Sequence, residues 1–137
     1  PRTQMLGVRG YPGNSINHAN SFFVPNHSPK VFVEGEVDMV CSAGYNPGRL
    51  ARGWSLDEID IRLVVTQLCV MDFGGPDHQL RLRSLHPGVG IDQVRQATGF
   101  EIHVGDDVGT TPAPTEAQLA LLARLDPHGL RASALGS

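Results

Sequence analysis

The stretch from Ile61 to Leu85 constrains the fold more than any other part of the chain. Arg62-Leu63-Val64-Val65-Thr66 and Cys69-Val70-Met71-Asp72-Phe73 are β-rich runs broken only at Gln67-Leu68. A polar turn, Gly74-Gly75-Pro76-Asp77, leads into Leu80-Arg81-Leu82-Arg83-Ser84-Leu85, which alternates apolar and polar residues as a half-buried strand does. The block predicts a three-stranded antiparallel meander, ended by His86-Pro87-Gly88. Ile91 to Thr98 then predicts a short helix, with Val94 three positions after Ile91 and Gly99 placed as its C′ residue. Phe100 to Val104 predicts another strand. Thr115-Glu116-Ala117-Gln118 reads as a capping box ahead of Leu119, Leu121, Leu122 and Leu125 on a second helix, which Asp126-Pro127-His128-Gly129 stops.

Upstream of the meander the pattern weakens. Residues 1–30 hold Gly7, Gly10, Pro12, Gly13, Asn14, Asn17, Asn20, Pro25 and Asn26, all turn formers, and predict a loop. A loop that long is functional or packs on a partner. Val31 to Val33 and Val37 to Cys41 predict two short strands separated by Glu34-Gly35-Glu36, the second nearly all apolar, as in a strand covered on both faces. Ala43 to Gly53 is Gly/Pro/Arg-rich loop, and Ser55-Leu56-Asp57-Glu58 can cap a short turn of helix. The 137 residues allow one domain. With 16 Gly and 10 Pro, much of it must be turn and loop rather than long helix. A formal charge of −3 argues against a nucleic-acid or anionic-membrane partner held by bulk charge. No apolar run approaches a membrane span. The sequence starts at Pro1, without an initiator Met or a signal-like segment, and the expectation is a processed chain or a piece of a longer one.

Few motifs carry chemistry by themselves. The six histidines show no metal-ligand spacing, and no metal or resident cofactor is expected. His18 and His27 could converge on a ligand, although hydrogen-bonded loop histidines are the commoner reading. There is no GxSxG elbow, and Cys41 and Cys69 sit in apolar runs as small buried hydrophobes rather than thiolate nucleophiles. Gly35 between Glu34 and Glu36 can bring a backbone N–H close to a ligand oxygen, and the plainer reading is a turn with two exposed carboxylates. The short amides and hydroxyls from Gly10 to Ser28 can order their own loop or present donors to an acyl or phosphate group. Residue chemistry leaves those two open.

The ordered string of segments says more. Gly10-x-x-Gly13-Asn14-x-x-Asn17-His18 is followed by Phe22-Phe23-Val24-Pro25-Asn26-His27-Ser28, Val31-Phe32-Val33 and Val37-Asp38-Met39-Val40. Val64-Val65-Thr66-x-Leu68-x-Val70-x-Asp72-Phe73, Leu85-His86-Pro87-Gly88-Val89 and Ala97-Thr98-Gly99-Phe100 come after. In this order the chain resembles the C-terminal half of the β subunit of family I CoA-transferases. Within that family it is most similar to the branch of CoA hydrolases that opens a steroid ring in actinobacterial cholesterol catabolism. The resemblance implies an α/β fold with a partial, open CoA-transferase-like sheet, an antiparallel meander and two short helices. Residues 1–30 would be a cleft-facing loop, 31–104 the sheet region and 105–137 a tail with a helix.

The resemblance further implies an acyl-CoA substrate, with coenzyme A entering as part of that substrate, an α-subunit partner, and a cytoplasmic location without membrane or nucleic-acid contacts. Transferases of the family use a β-subunit Glu nucleophile in the half this chain does not match, so no catalytic residue is assigned. Glu34, Glu36, Glu58, Glu101 and Glu116 do not take its place. Gly13, Asn14, His18, Asn26, Glu34 and Gly35 are the candidate substrate- and CoA-binding residues. Transferases often carry paired glycines just before the strand matching Val37 to Val40. The single Gly35 here favours the hydrolase branch, with a true CoA-transferase or a non-catalytic CoA-binding subunit as alternatives.

Overall fold

The computed structural model describes residues 11–35, 37, 40 and 42–134. A five-stranded sheet with strand order β1-β2-β3-β4-β5 organises them. The strands are β1 (Asn20–Val24), β2 (Ile61–Thr66), β3 (Cys69–Asp72), β4 (Arg81–Leu85) and β5 (His103–Thr110). The helices are α1 (Tyr11–Asn17), α2 (Ile91–Ala97), α3 (Glu116–Leu125) and α4 (Leu130–Ala134). The predicted meander is present as β2-β3-β4, antiparallel throughout. Parallel strands flank it on both sides, β1 against β2 and β5 against β4. The carboxyl ends of β1, β2, β4 and β5 therefore share one edge of the sheet. On the core face, Phe22, Val64, Met71, Leu82 and Val104 form a row across all five strands. Val94 of α2 and Ile102 close over that row.

Several sequence expectations are corrected. Residues 1–30 are not one loop, because 11–17 are helical and 20–24 form an edge strand. Asn20 donates its backbone N–H to the Asp60 carbonyl (2.8 Å), and Phe22 and Val24 pack toward the core. That strand exists through a partner some forty residues away, which local composition does not register. Val31–Val33 is a turn, with the backbone N–H groups of Val31 and Phe32 both donating to the Ser28 carbonyl (2.9 Å each). Val37 and Val40 are exposed and lie in no strand, while Glu36, Asp38, Met39 and Cys41 fall outside the described residues. Among the described residues, Val31, Val33, Val37 and Val40 are β-prone but join no strand.

The last strand starts later and runs further than expected, because the His103 N–H bonds to the Leu80 carbonyl (2.9 Å) and Arg81 pairs with His103. It takes 105–110 out of the expected tail. The two expected helices are α2 and α3, the latter with its Thr115–Gln118 capping box formed, and α1 and α4 are additional. Gly99 is not a left-handed C′ residue. A Cβ there would sit 2.6 Å from the Phe32 carbonyl oxygen, to which the Gly99 N–H donates at 2.7 Å, so close approach is what demands glycine.

The β2–β3 turn, Gln67-Leu68, has two residues, yet neither adopts the positive φ that favoured two-residue hairpins use. The Thr66 side chain supports it instead. Its Oγ1 accepts the backbone N–H groups of Leu68 and Cys69 (3.1 Å each) and is almost fully buried. The same oxygen lies 3.0 Å from His27 Nδ1, and His27 Nε2 lies 2.9 Å from Thr98 Oγ1. Because the Thr98 hydroxyl donates to the Val94 carbonyl (2.8 Å), it accepts from His27 Nε2–H. Nδ1 of the neutral ring is then the acceptor for Thr66. His86 Nε2 donates to the Thr66 carbonyl (2.9 Å), and Nδ1 meets Thr111 Oγ1 (3.0 Å), which in turn meets Ser84 Oγ (2.9 Å). One turn thus ties together β1, β2, β4, α2 and the end of β5.

Two outcomes follow from this network. Thr66→Val keeps the shape and removes the oxygen that serves two buried N–H groups and a ring nitrogen. It should lower unfolding free energy by about 2–4 kcal/mol in a denaturant titration; a loss below about 0.5 kcal/mol would contradict the assignment. Burial holds the His27 pKa below its ordinary 6.5. Between those values the unfolded chain binds the proton and the folded one does not, so stability falls as pH drops below 6.5 toward the folded value. Urea melts from pH 7 to pH 5 should show that decline, and His27→Gln should flatten it.

Candidate functional site

In open α/β sheets, ligands bind beyond the carboxyl ends of the strands. At that edge this chain places the segment after β1. Phe32 stacks on His27 with ring centroids 4.1 Å apart and leans toward Phe100 at 6.4 Å. The Glu34 backbone nitrogen lies against Gly99. Glu34 and Gly35 then stand exposed, with Gly35 at φ +78° and nothing within 4 Å of where its Cβ would be. Asn26, just before His27, is exposed too. Among the described residues, Ser28 Oγ is a buried hydroxyl with no hydrogen-bond partner. The edge therefore combines an exposed amide, a carboxylate and an open glycine backbone. Such a set can bind and orient a polar acyl group.

The other candidates lie elsewhere. Gly13 and Asn14 are on α1 and His18 follows it, all exposed. The Asn14 carbonyl accepts the His18 N–H (3.2 Å) and the Asn20 side-chain amide (2.9 Å), and the Asn20 amide also reaches the His18 carbonyl. Asn20 faces Ile61 at the start of β2. A six-residue strand spans about 16 Å, so Gly13, Asn14 and His18 stand at the opposite end of β1–β2 from Gly35. The structure brings Asn26, Glu34 and Gly35 to one edge and leaves these three at the other. His18 and His27 do not converge, since His27 is buried with both ring nitrogens engaged.

Cys69 is fully buried, and burial pushes its thiol pKa up, with the Thr66 hydrogen bond pulling the other way. It behaves as the small hydrophobe its sequence context suggests, whereas Cys41 lies outside the described residues. Among the described residues no cluster of three or more His, Cys, Asp or Glu could hold a metal. Burial raises the Asp72 carboxyl, but the Arg81 hydrogen bond, the Gly74 N–H and the charges of Arg81 and Arg83 outweigh it and hold the pKa below the ordinary carboxylate value. Arg81 grips Asp72 at 3.0 and 2.7 Å and Arg83 at 3.2 Å, a clasp on the β3–β4 hairpin remote from the carboxyl edge. The hairpin tip is a tight turn with Asp77 and His78 at φ 51° and 60°, and His78 stacks on Tyr45 (4.4 Å). Sequence reasoning missed two structural details. Tyr45 Oη accepts the Ile61 N–H (3.1 Å) and braces the start of β2, and no pattern around it signals this. Ser28 was visible only as one hydroxyl among many.

No family model matches the chain. Over 135 residues it is 48% identical to the cholesterol ring-cleaving hydrolase IpdB subunit of Mycobacterium tuberculosis, covering 96% of this chain and 52% of that subunit. The crystal structure of Rhodococcus jostii IpdAB matches the whole chain with a TM-score of 0.85 at 43% identity, over 55% of that chain. Glutaconate coenzyme A-transferase from Acidaminococcus fermentans shares the fold, with a TM-score of 0.76 at 23% identity over 90% of this chain and 47% of that one. The chain spans about half the length of the curated relatives it matches. In sequence the chain is similar to about half of the length of the IpdB subunits, and in fold it is similar to the glutaconate coenzyme A-transferase structure.

Proposed function

We propose that the chain is the C-terminal part of a CoA-transferase-type β subunit, working with an α subunit as a hydrolase that opens a steroid-derived ring carried as an acyl-CoA thioester. The observation that carries this reading is the 48% identity to an IpdB subunit, sustained over 96% of the chain. Our proposed substrate cleft is the carboxyl edge. There the Gly35 backbone and Asn26 orient the acyl oxygen, and Glu34 lines the rim. Gly13, Asn14 and His18 are outside this cleft. The chain's part is binding and orientation, with the reacting groups supplied by residues beyond it. A cytoplasmic location belongs to the same proposal, and the free thiol of Cys69 suits a reducing compartment.

Two variants in the assembled enzyme test the cleft. Gly35→Ala forces a side chain onto a left-handed backbone and should lower kcat/KM at least about tenfold. Asn26→Ala should also lower kcat/KM, because it removes the exposed side-chain amide at the same edge. Unchanged turnover in both variants would move the cleft elsewhere. The reaction class is read by supplying labelled CoA thioester with acetate or succinate. Ring opening by water is expected, and movement of the label to either acid would establish a transferase.

A further inference from the structure

The two histidines tied to Thr66 differ in what they leave accessible. His27 is buried, and both its ring nitrogens are spent on threonine oxygens. His86, Ser84 and Thr111 are only half-buried, and they stand where β4 and β5 end at the carboxyl edge. His86 Nε2 lies 2.9 Å from the Thr66 carbonyl oxygen, which can only accept, so that nitrogen carries the proton. Nδ1 of the neutral ring then has a lone pair, and the Thr111 hydroxyl donates to it at 3.0 Å. With its proton committed, Thr111 Oγ1 accepts from the Ser84 hydroxyl at 2.9 Å. A hydroxyl oxygen has two lone pairs, so one stays uncommitted among the described residues. The Thr111 backbone is fixed as well, its N–H donating to the Leu85 carbonyl at 2.8 Å.

A hydroxyl bonded to a base, with the base held in one tautomer by a third group, is the arrangement that activates an alcohol for attack on an acyl carbon. Here the Thr66 main-chain carbonyl is the third group. We propose that Thr111 is an acyl-accepting nucleophile with His86 as its general base, and that the pair releases coenzyme A from an acyl thioester, an activity separate from ring opening. Thr111 Oγ1 attacks the thioester carbon while its proton passes to His86 Nδ1. The carbon–sulfur bond breaks and the departing sulfur takes that proton, which leaves the acyl group as an ester on Thr111. Water then attacks the ester carbon and gives a proton to Nδ1. The carbon–oxygen bond breaks, the proton returns to Thr111 Oγ1, and a carboxylic acid departs. Ser84 holds the Thr111 side chain toward the ring and is a positioning residue. The choice of a thioester rests on the subunit reading above, whereas the pair itself stands on the geometry.

The test uses the assembled enzyme and acetyl-CoA, which has no ring to open. Free CoA is read by chromatography, and an acid-quenched sample is digested and searched by mass spectrometry for an acetyl ester. The wild type should release CoA and carry the ester on the peptide that holds Thr111. Thr111→Val and His86→Gln should each lower release at least about 100-fold and abolish the ester, while Thr111→Ser keeps the hydroxyl and should retain both. Glutamine offers an N–H to the Thr66 carbonyl and an oxygen to the Thr111 hydroxyl but is no base. An unchanged melting temperature in His86→Gln therefore separates loss of the base from loss of the fold. Release that survives Thr111→Val, an acetyl group found only on a glutamate, or a wild type that releases no CoA overturns the proposal. Ring opening is assayed on its own substrate, so failure of that reading leaves the acetyl-CoA result standing.

Discussion

The oxygen of Thr66 is the atom on which the arrangement of this chain most depends. It sits at a two-residue reversal whose backbone does not adopt the usual left-handed geometry, and it accepts the two N–H groups that such a reversal would otherwise bury unpaired. Its proton goes to His27, which fixes the direction of every bond out to Val94. The Thr66 carbonyl extends the same control through His86 to Thr111. Five elements are thereby registered at one edge, where the carboxyl ends of four strands emerge. In a buried setting such a network is valuable when every member is satisfied and damaging when one is lost.

That registration is what gives the proposed cleft its form. His27, locked between two threonines, carries Phe32 on its ring, and Phe32 anchors the turn from which Glu34 and Gly35 project. The histidine thus acts on the site by positioning, with burial holding it neutral. The charged clasp of Asp72 and the braced Tyr45 secure the other end of the strands.

How far the sequence foretold this depends on where the information sits. The meander, α2 and the capped α3 are local patterns with short connections, and they are present. Strand β1 is not legible locally because its ladder partner is forty residues distant, and Val31–Val33 makes no strand for the converse reason, β propensity without a partner; most of the Val37–Cys41 run lies outside the described residues. Gly99 was rightly singled out for the wrong cause, as helix punctuation instead of close approach to Phe32. Of the site residues, Asn26, Glu34 and Gly35 come to one edge, while Gly13, Asn14 and His18 stand at the other. Spacing along a chain cannot show which end of a strand a residue will occupy.

Hydrogen exchange on the assembled enzyme, with and without an acyl-CoA, tests the central claim most directly. Ligand should slow amide exchange at residues 26–35 and around His86–Gly88, the carboxyl edge of the parallel strands. Protection confined to residues 13–20, with 26–35 unchanged, would contradict the account.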